Sequence, residues 1–255
     1  MRQLCDEIAD AIADATDGVL GPGAAGADVV GQGADGTPTK RLDRIAEDAA
    51  LDVVERHGDL RVVSEEAGSV AFGDPERTLV LDPVDGTYNA GSGIPHYAVS
   101  IAIADGDDVA DVEYGYVRDL VTGTTFAAAE GDGATRDGTP LEVTDVDDRT
   151  AMALGGVYNI EGFDPARFRR VRLLGCSSLE LCYTAAGALD AFVDLRSRLR
   201  VVDFAAGALI VEEAGGVVTD EDGEPVTGPV TADHRSSLVA GGPASHETAM
   251  AEVER

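Results

Sequence analysis

Asp82 and Asp85 stand three positions apart in Leu79-Val80-Leu81-Asp82-Pro83-Val84-Asp85-Gly86-Thr87-Tyr88-Asn89-Ala90, where an apolar stretch meets a proline and a glycine. Carboxylates at this spacing suit a hard divalent cation, which takes oxygen ligands and bridges them to a substrate phosphate. Pro83 is expected to set a turn that frees Asp82 from helical geometry, and Gly86 to let the backbone come close to an anion. The amides of Gly86 and Thr87 can then donate to phosphate oxygens. Taken alone, the pattern also fits a solvated β-turn.

Two further carboxylate elements shift the balance. Glu65 and Glu66 lie upstream in Ser64-Glu65-Glu66-Ala67-Gly68, and Asp203 opens the apolar stretch Val202-Asp203-Phe204-Ala205-Ala206-Gly207 far downstream. Singly, paired glutamates are usually surface and an Asp at a helix start is usually a cap. Three carboxylate elements, each at an element end beside small residues, point to a hydrolase rather than a binding protein.

Competing chemistries lack their residues. The sequence has no G-x-x-x-x-G-K-[ST] phosphate loop and no G-x-S-x-G elbow. His57, His96, His234 and His246 read as structural or solvent-facing. Cys5, Cys176 and Cys182 are odd in number and without C-x-x-C spacing, which argues against a disulfide framework and a zinc site and for a reducing compartment.

The elements that must position these groups follow from periodicity. Apolar residues at helical spacing predict helices over residues 3–16 and from about Leu42 to Arg56. The glycine-rich stretch Gly21–Gly36 between them reads as a mobile loop. Strands are expected at Leu60–Val63, Thr78–Leu81, Ala98–Ala104, Val112–Val117 and Thr124–Ala128. Beyond them come a short helix at Asp164–Arg170, a strand at Val171–Leu174, a helix at Ser177–Ala186 and a strand at Ala191–Leu195. A helix at Asp203–Ala214 is stopped by Gly215-Gly216, strands follow at Val217–Val218 and Leu238–Ala240, and a helix at Ser245–Val253 closes the chain. This order predicts mixed α/β layers rather than regular βαβ alternation, in one unit with two subdomains at about 1–148 and about 149–255.

At 255 residues the chain can bury a large core. Its net charge is −29, with 48 acidic and 19 basic residues and Lys40 the single lysine. That balance argues against nucleic acid and against an anionic membrane as partners, because binding them needs basic patches. It suits a salty cytoplasm, where the Debye length falls to about 3 Å near molar ionic strength and screens self-repulsion. The N-terminal residues are acidic where a secretory signal would be basic, and no apolar run approaches the roughly 20 residues of a membrane span, so a cytoplasmic location is expected.

At these motifs the chain resembles the superfamily of inositol monophosphatase and fructose-1,6-bisphosphatase. The E-E, D-P-[ILV]-D-G-T and D-x-A-A-G elements stand in order. Gly33–Lys40 with Asp43, the segment Leu81–Ala90, and Gly187–Arg196 are similar to its archaeal dual-specificity branch. The resemblance implies an α-β-α-β-α sandwich, a homodimer, two or three Mg²⁺ ions (or Mn²⁺), and hydrolysis of fructose 1,6-bisphosphate and inositol 1-phosphate. It assigns Glu65, Asp82, the Val84 carbonyl, Asp85 and Asp203 to the metals. Asp43 and Thr87 are implied to activate water, Glu66 to orient it or bind a third ion, and Asp35 to sit on a catalytic loop. Asp85, Gly86, Thr87, Arg172, Ser177 and Arg196 are implied to contact substrate. A 3'-phosphoadenosine 5'-phosphate phosphatase of the same fold, or a non-catalytic regulatory partner protein, are the alternatives.

Overall fold

The protein is described here by a computed structural model covering residues 1–21, 26, 28–33, 38–156 and 163–253. Near the N-terminus, α1 (Arg2–Thr16) is followed by a hairpin of β1 (Val29–Gln32) and β2 (Pro38–Lys40), then by α2 (Arg41–His57). The next strands are β3 (Leu60–Ser64), β4 (Gly68–Phe72), β5 (Arg77–Asp85), β6 (Ala98–Ala104), β7 (Val112–Asp119), β8 (Thr125–Ala129), β9 (Gly133–Arg136) and β10 (Thr139–Pro140). They form an eight-stranded sheet in the order β10-β9-β8-β7-β6-β5-β3-β4, antiparallel except where β3 runs parallel to β5. A short helix, α3 (Thr87–Ser92), leaves the end of β5.

The second half supplies β11 (Ala153–Gly155), β12 (Arg170–Val171), α4 (Ser177–Ala185), β13 (Ala191–Arg200), α5 (Val201–Glu213), β14 (Val217–Thr219), β15 (Arg235–Gly241) and α6 (Pro243–Met250). Its strands form a five-stranded sheet in the order β12-β11-β13-β15-β14.

Packing stacks these pieces into five layers. The helices α1 and α2 cover one face of the larger sheet, α4 and α5 lie between the two sheets, and α6 covers the outer face of the smaller one. The strand alternation of β6 shows why. Val99, Ile101 and Ile103 point toward α1 and α2, while Ala98, Ala102 and Ala104 point toward α5. Small residues on that face let α5 approach: a Cβ at Gly115 of β7 would come within 2.6 Å of the Ala206 carbonyl oxygen. With sheets on both sides, α5 is buried at every residue from Val201 to Val211, so it carries no polar face there. The expected α-β-α-β-α sandwich is the observed architecture. Among the described residues no helix is long and apolar enough to cross a membrane.

Several local expectations are corrected. The strand β5 does not break at Pro83 but runs on to Asp85, absorbing the proline in a bulge. Val29–Gln32, expected as loop, pairs with β2 because backbone hydrogen bonding outweighs its glycine content. Only Pro165–Arg167 of the expected helix Asp164–Arg170 is helical, as a single 3-10 turn, since the Arg170 amide is drawn to the Met152 carbonyl beside β11. The neighbouring strand is Arg170–Val171 rather than Val171–Leu174, because Glu180 takes the Leu174 amide. The strand β13 runs past Leu195 to Arg200. The strands β4, β9, β10 and β11 carried no signal strong enough to be expected.

Candidate metal centre

In a regular strand Asp82 and Asp85, an odd number of positions apart, would face opposite sides of the sheet. The bulge reverses this. Asp82 pairs with Ser100 and Asp85 with Ala98, so three steps on β5 oppose two on β6, and the extra residue brings both carboxylates to one side. Pro83 fits there because a bulged residue needs no ladder donor. The Val84 amide donates to Asp82 Oδ1 at 3.0 Å, and the Val84 carbonyl accepts from the Thr87 hydroxyl at 3.0 Å. Gly86, with φ of +90°, turns the chain into α3, and a Cβ there would lie 3.0 Å from the His96 carbonyl oxygen.

Asp203 arrives from the first turn of α5, where Arg200 is the N-cap. Oxygens of Asp82, Asp85 and Asp203 all lie within 4.8 Å of one another, and all three residues are buried. Crowding and burial disfavour the charges of Asp82 and Asp85. Burial, then Asp203 and Asp85, push Asp82 well above the usual carboxylate range, with Arg200 opposing. Burial and Asp203 push Asp85 up to about 6 against the donors that Ser178 and Cys176 offer it. Asp82 Oδ2 is buried and accepts no hydrogen bond among the described residues. Clustered hard oxygens that repel one another, one of them without a donor, fit a divalent cation.

Around this group the other expected residues fall in two sets. Glu65 reaches it through Arg200, whose guanidinium pairs with Glu65 and with Asp203 at 3.0 Å. Burial works to lower the Arg200 pKa, but Asp203, Glu65 and Asp82 outweigh it and the net direction is up. Glu66 accepts from the Thr39 hydroxyl. Asp43 caps α2 by accepting the Lys40 amide at 3.3 Å and hydrogen-bonds Thr87, while burial, with Glu65 and Glu66 nearby, raises it to about 6. Ser177 is buried at the start of α4, next to the Ser178 that holds Asp85.

Two of the expected substrate groups are engaged elsewhere. Arg172 is exposed and donates to the Val171 carbonyl, and Arg196 makes a two-point pair with the fully buried Asp194. Asp35 lies outside the described residues. All four histidines are accounted for: His57 pairs with Glu7, His246 bonds Thr219, His96 packs on Tyr183, and burial lowers the pKa of His234.

Sequence reasoning noted Arg200 only within a run of arginines, with no part in this centre, and gave no role to Glu47, Ser178 or Asn89. Glu47, one turn beyond Asp43 on α2, is buried and accepts from the Ser64 hydroxyl and, at 3.1 Å, the Ala67 amide, so it pins the turn that carries Glu65 and Glu66. Its spacing of four from Asp43 was a legible signal. Ser178 and Asn89 act across long sequence separations that no local pattern records.

The sequence profile of the inositol monophosphatase family matches residues 5–255. A fructose-1,6-bisphosphatase/inositol-1-monophosphatase of Archaeoglobus fulgidus is 44% identical over 197 residues, covering 76% of this chain and 75% of that protein. A bifunctional NADP phosphatase/NAD kinase of Methanococcus maripaludis is 37% identical over 245 residues, covering 86% of this chain, which spans only 43% of that longer protein. Among solved structures, a Pyrococcus horikoshii protein described as having similarities to inositol-1 monophosphatase superposes with a TM-score of 0.87 at 29% identity, over 100% of this chain and 98% of that one.

Proposed function

The chain belongs to the inositol monophosphatase family, and from that premise we propose that it hydrolyses fructose 1,6-bisphosphate and inositol 1-phosphate with Mg²⁺, Mn²⁺ being a substitute. The observation that carries this reading is the convergence of Asp82, Asp85 and Asp203 beside the Gly86–Thr87 turn. In this reading Glu65, Asp82, the Val84 carbonyl, Asp85 and Asp203 hold two ions, with Glu66 and Asp35 available to a third. Such ions supply positive charge to phosphoryl oxygens and lower the pKa of water.

The chain's own groups position and move protons. Thr87 has one hydroxyl hydrogen and two acceptors, Asp43 and the Val84 carbonyl. When Asp43 is ionised, Thr87 donates to it and presents a lone pair to the attacking water, whose proton passes on to Asp43. A base near 6 is matched to that task at neutral pH. Amides of Gly86 and Thr87 donate to the phosphate oxygens, and the ester P–O bond breaks as water's oxygen bonds to phosphorus; the departing alkoxide takes a proton from solvent, giving an alcohol and inorganic phosphate, and Asp43 returns its proton to solvent. On this reading Arg172 and Ser177 contact the rest of the substrate, the Arg172 fork being suited to a second phosphate, and Arg196 does so while keeping its pair with Asp194.

On the same reading the protein is a cytoplasmic homodimer, and its two subdomains, about 1–148 and about 149–255, share the site. A nucleotide phosphatase acting on NADP or 3'-phosphoadenosine 5'-phosphate is the second reading, favoured by the 37% identity to a protein named for NADP phosphatase activity. Initial rates of phosphate release on the four substrates with Mg²⁺ separate them. Dominant rates on the sugar and inositol phosphates are expected, and a dominant rate on either nucleotide would replace this assignment.

A further inference from the structure

We infer that Ser178 is a positioning residue that aims the Asp85 carboxylate at the cation, an inference that rests on the metal-site reading above. A single oxygen, Asp85 Oδ2, accepts the Ser178 amide at 2.7 Å, the Ser178 hydroxyl at 2.7 Å and the Cys176 thiol at 3.3 Å. Ser178 and Cys176 have no exposed surface. With Oδ2 saturated, Oδ1, which makes no hydrogen bond among the described residues, is the oxygen left for a cation.

The hydroxyl has a task the amide cannot perform alone. One donor fixes a distance but lets a carboxylate swing about its Cβ–Cγ bond, whereas two donors from one residue and a thiol from a second direction define its plane. Ser178 stands in the first turn of α4, where the amides have no acceptor within the helix and there is no preceding turn for the hydroxyl to bond. Both donors reach 93 positions back in sequence to one oxygen.

The frame behind Ser178 is itself held. Glu180 Oε1 accepts the Leu174 and Gly175 amides at 2.7 and 2.9 Å, and Asn89 Nδ2 donates to the Leu174 carbonyl at 2.7 Å and the His96 carbonyl at 2.9 Å. The start of α4 is thereby tied to α3, which begins two residues after Asp85. Groups that orient a metal ligand typically change metal affinity by about 10–100-fold when removed.

The test uses the whole protein with Mn²⁺ alone, free Mn²⁺ being read by electron paramagnetic resonance, and with Mg²⁺ in turnover. Ser178→Ala and the near-isosteric, poor donor Ser178→Cys are expected to weaken Mn²⁺ binding by about 10-fold and to raise the half-saturating Mg²⁺ by the same factor. Ser178→Thr, which keeps the hydroxyl, is expected to restore both. Asp85→Asn is the control for the site. If it weakens Mn²⁺ binding while Ser178→Ala and Ser178→Cys bind as wild type, the positioning role is overturned and the site stands. Failure of Ser178→Thr to restore binding would assign the effect to side-chain size and overturn the role too. Wild-type Mn²⁺ binding by Asp85→Asn would instead remove the metal reading on which the inference rests.

Discussion

Asp82 is buried among like charges, with one oxygen unsatisfied, so in the absence of a cation it destabilises the fold it sits in. Asp82→Asn should therefore abolish phosphate release yet raise metal-free stability by about 1–2 kcal/mol, a gain read by urea unfolding in chelator. Equal or lower stability would contradict that account of the site. The pH dependence follows from groups whose folded values are raised: Asp43 and Asp85 to about 6 and Glu180 to about 7, each chiefly by burial. The folded state then holds protons that the unfolded chain has lost above about pH 4. Their contribution is complete below that value and disappears as pH rises through 6 to 7, so metal-free unfolding free energy should fall between about pH 4.5 and 7.5. Glu180→Gln should flatten the fall, and a slope unchanged by it would show that Glu180 keeps an ordinary value. Asp82, Asp85, Asp203 and Glu65 were legible because each borders an apolar stretch with glycine, alanine or proline close by in the sequence. Arg200 was not, because an arginine three before an aspartate is ordinary until burial shows that it faces three carboxylates.

At the scale of elements, the bulge in β5 is the device on which the site depends. It was misread as a turn because proline and glycine signal both, and only pairing with β6 distinguishes them. Helices α1, α2 and α5 were legible, the first two from apolar residues at helical spacing and α5 from an apolar run closed by two glycines. The strands β4, β9 and β11 were not, β4 and β9 being short segments fixed by hairpin pairing with β3 and β8, and β11 being a three-residue strand fixed by a partner distant in sequence. Gly86 is the pivot between β5 and α3. Gly86→Ala must place a Cβ 3.0 Å from the His96 carbonyl oxygen at positive φ, which is expected to cost about 1–3 kcal/mol and to slow phosphate release. Unfolding and rates unchanged from wild type would show that the turn tolerates a side chain.

For the whole molecule, a net charge of −29 on 255 residues imposes self-repulsion that salt screens. The melting temperature should rise on going from dilute buffer to molar KCl, and a flat response would remove the reading of a salt-adapted surface. The centre is likewise a property of the whole chain, since the sequence separations it closes run from three residues between Asp82 and Asp85 to 121 between Asp82 and Asp203. No local rule fixes such a closure, and the layered packing of α5 between two sheets brings Asp203 to β5. The most direct test is a crystal grown with Mn²⁺ and inorganic phosphate and measured at the manganese absorption edge. Anomalous peaks are predicted within coordination distance of Asp82, Asp85 and Asp203, about 2.0–2.3 Å, with phosphate on the Gly86–Thr87 turn. Ordered Mn²⁺ elsewhere, with these three carboxylates turned apart, would contradict the account.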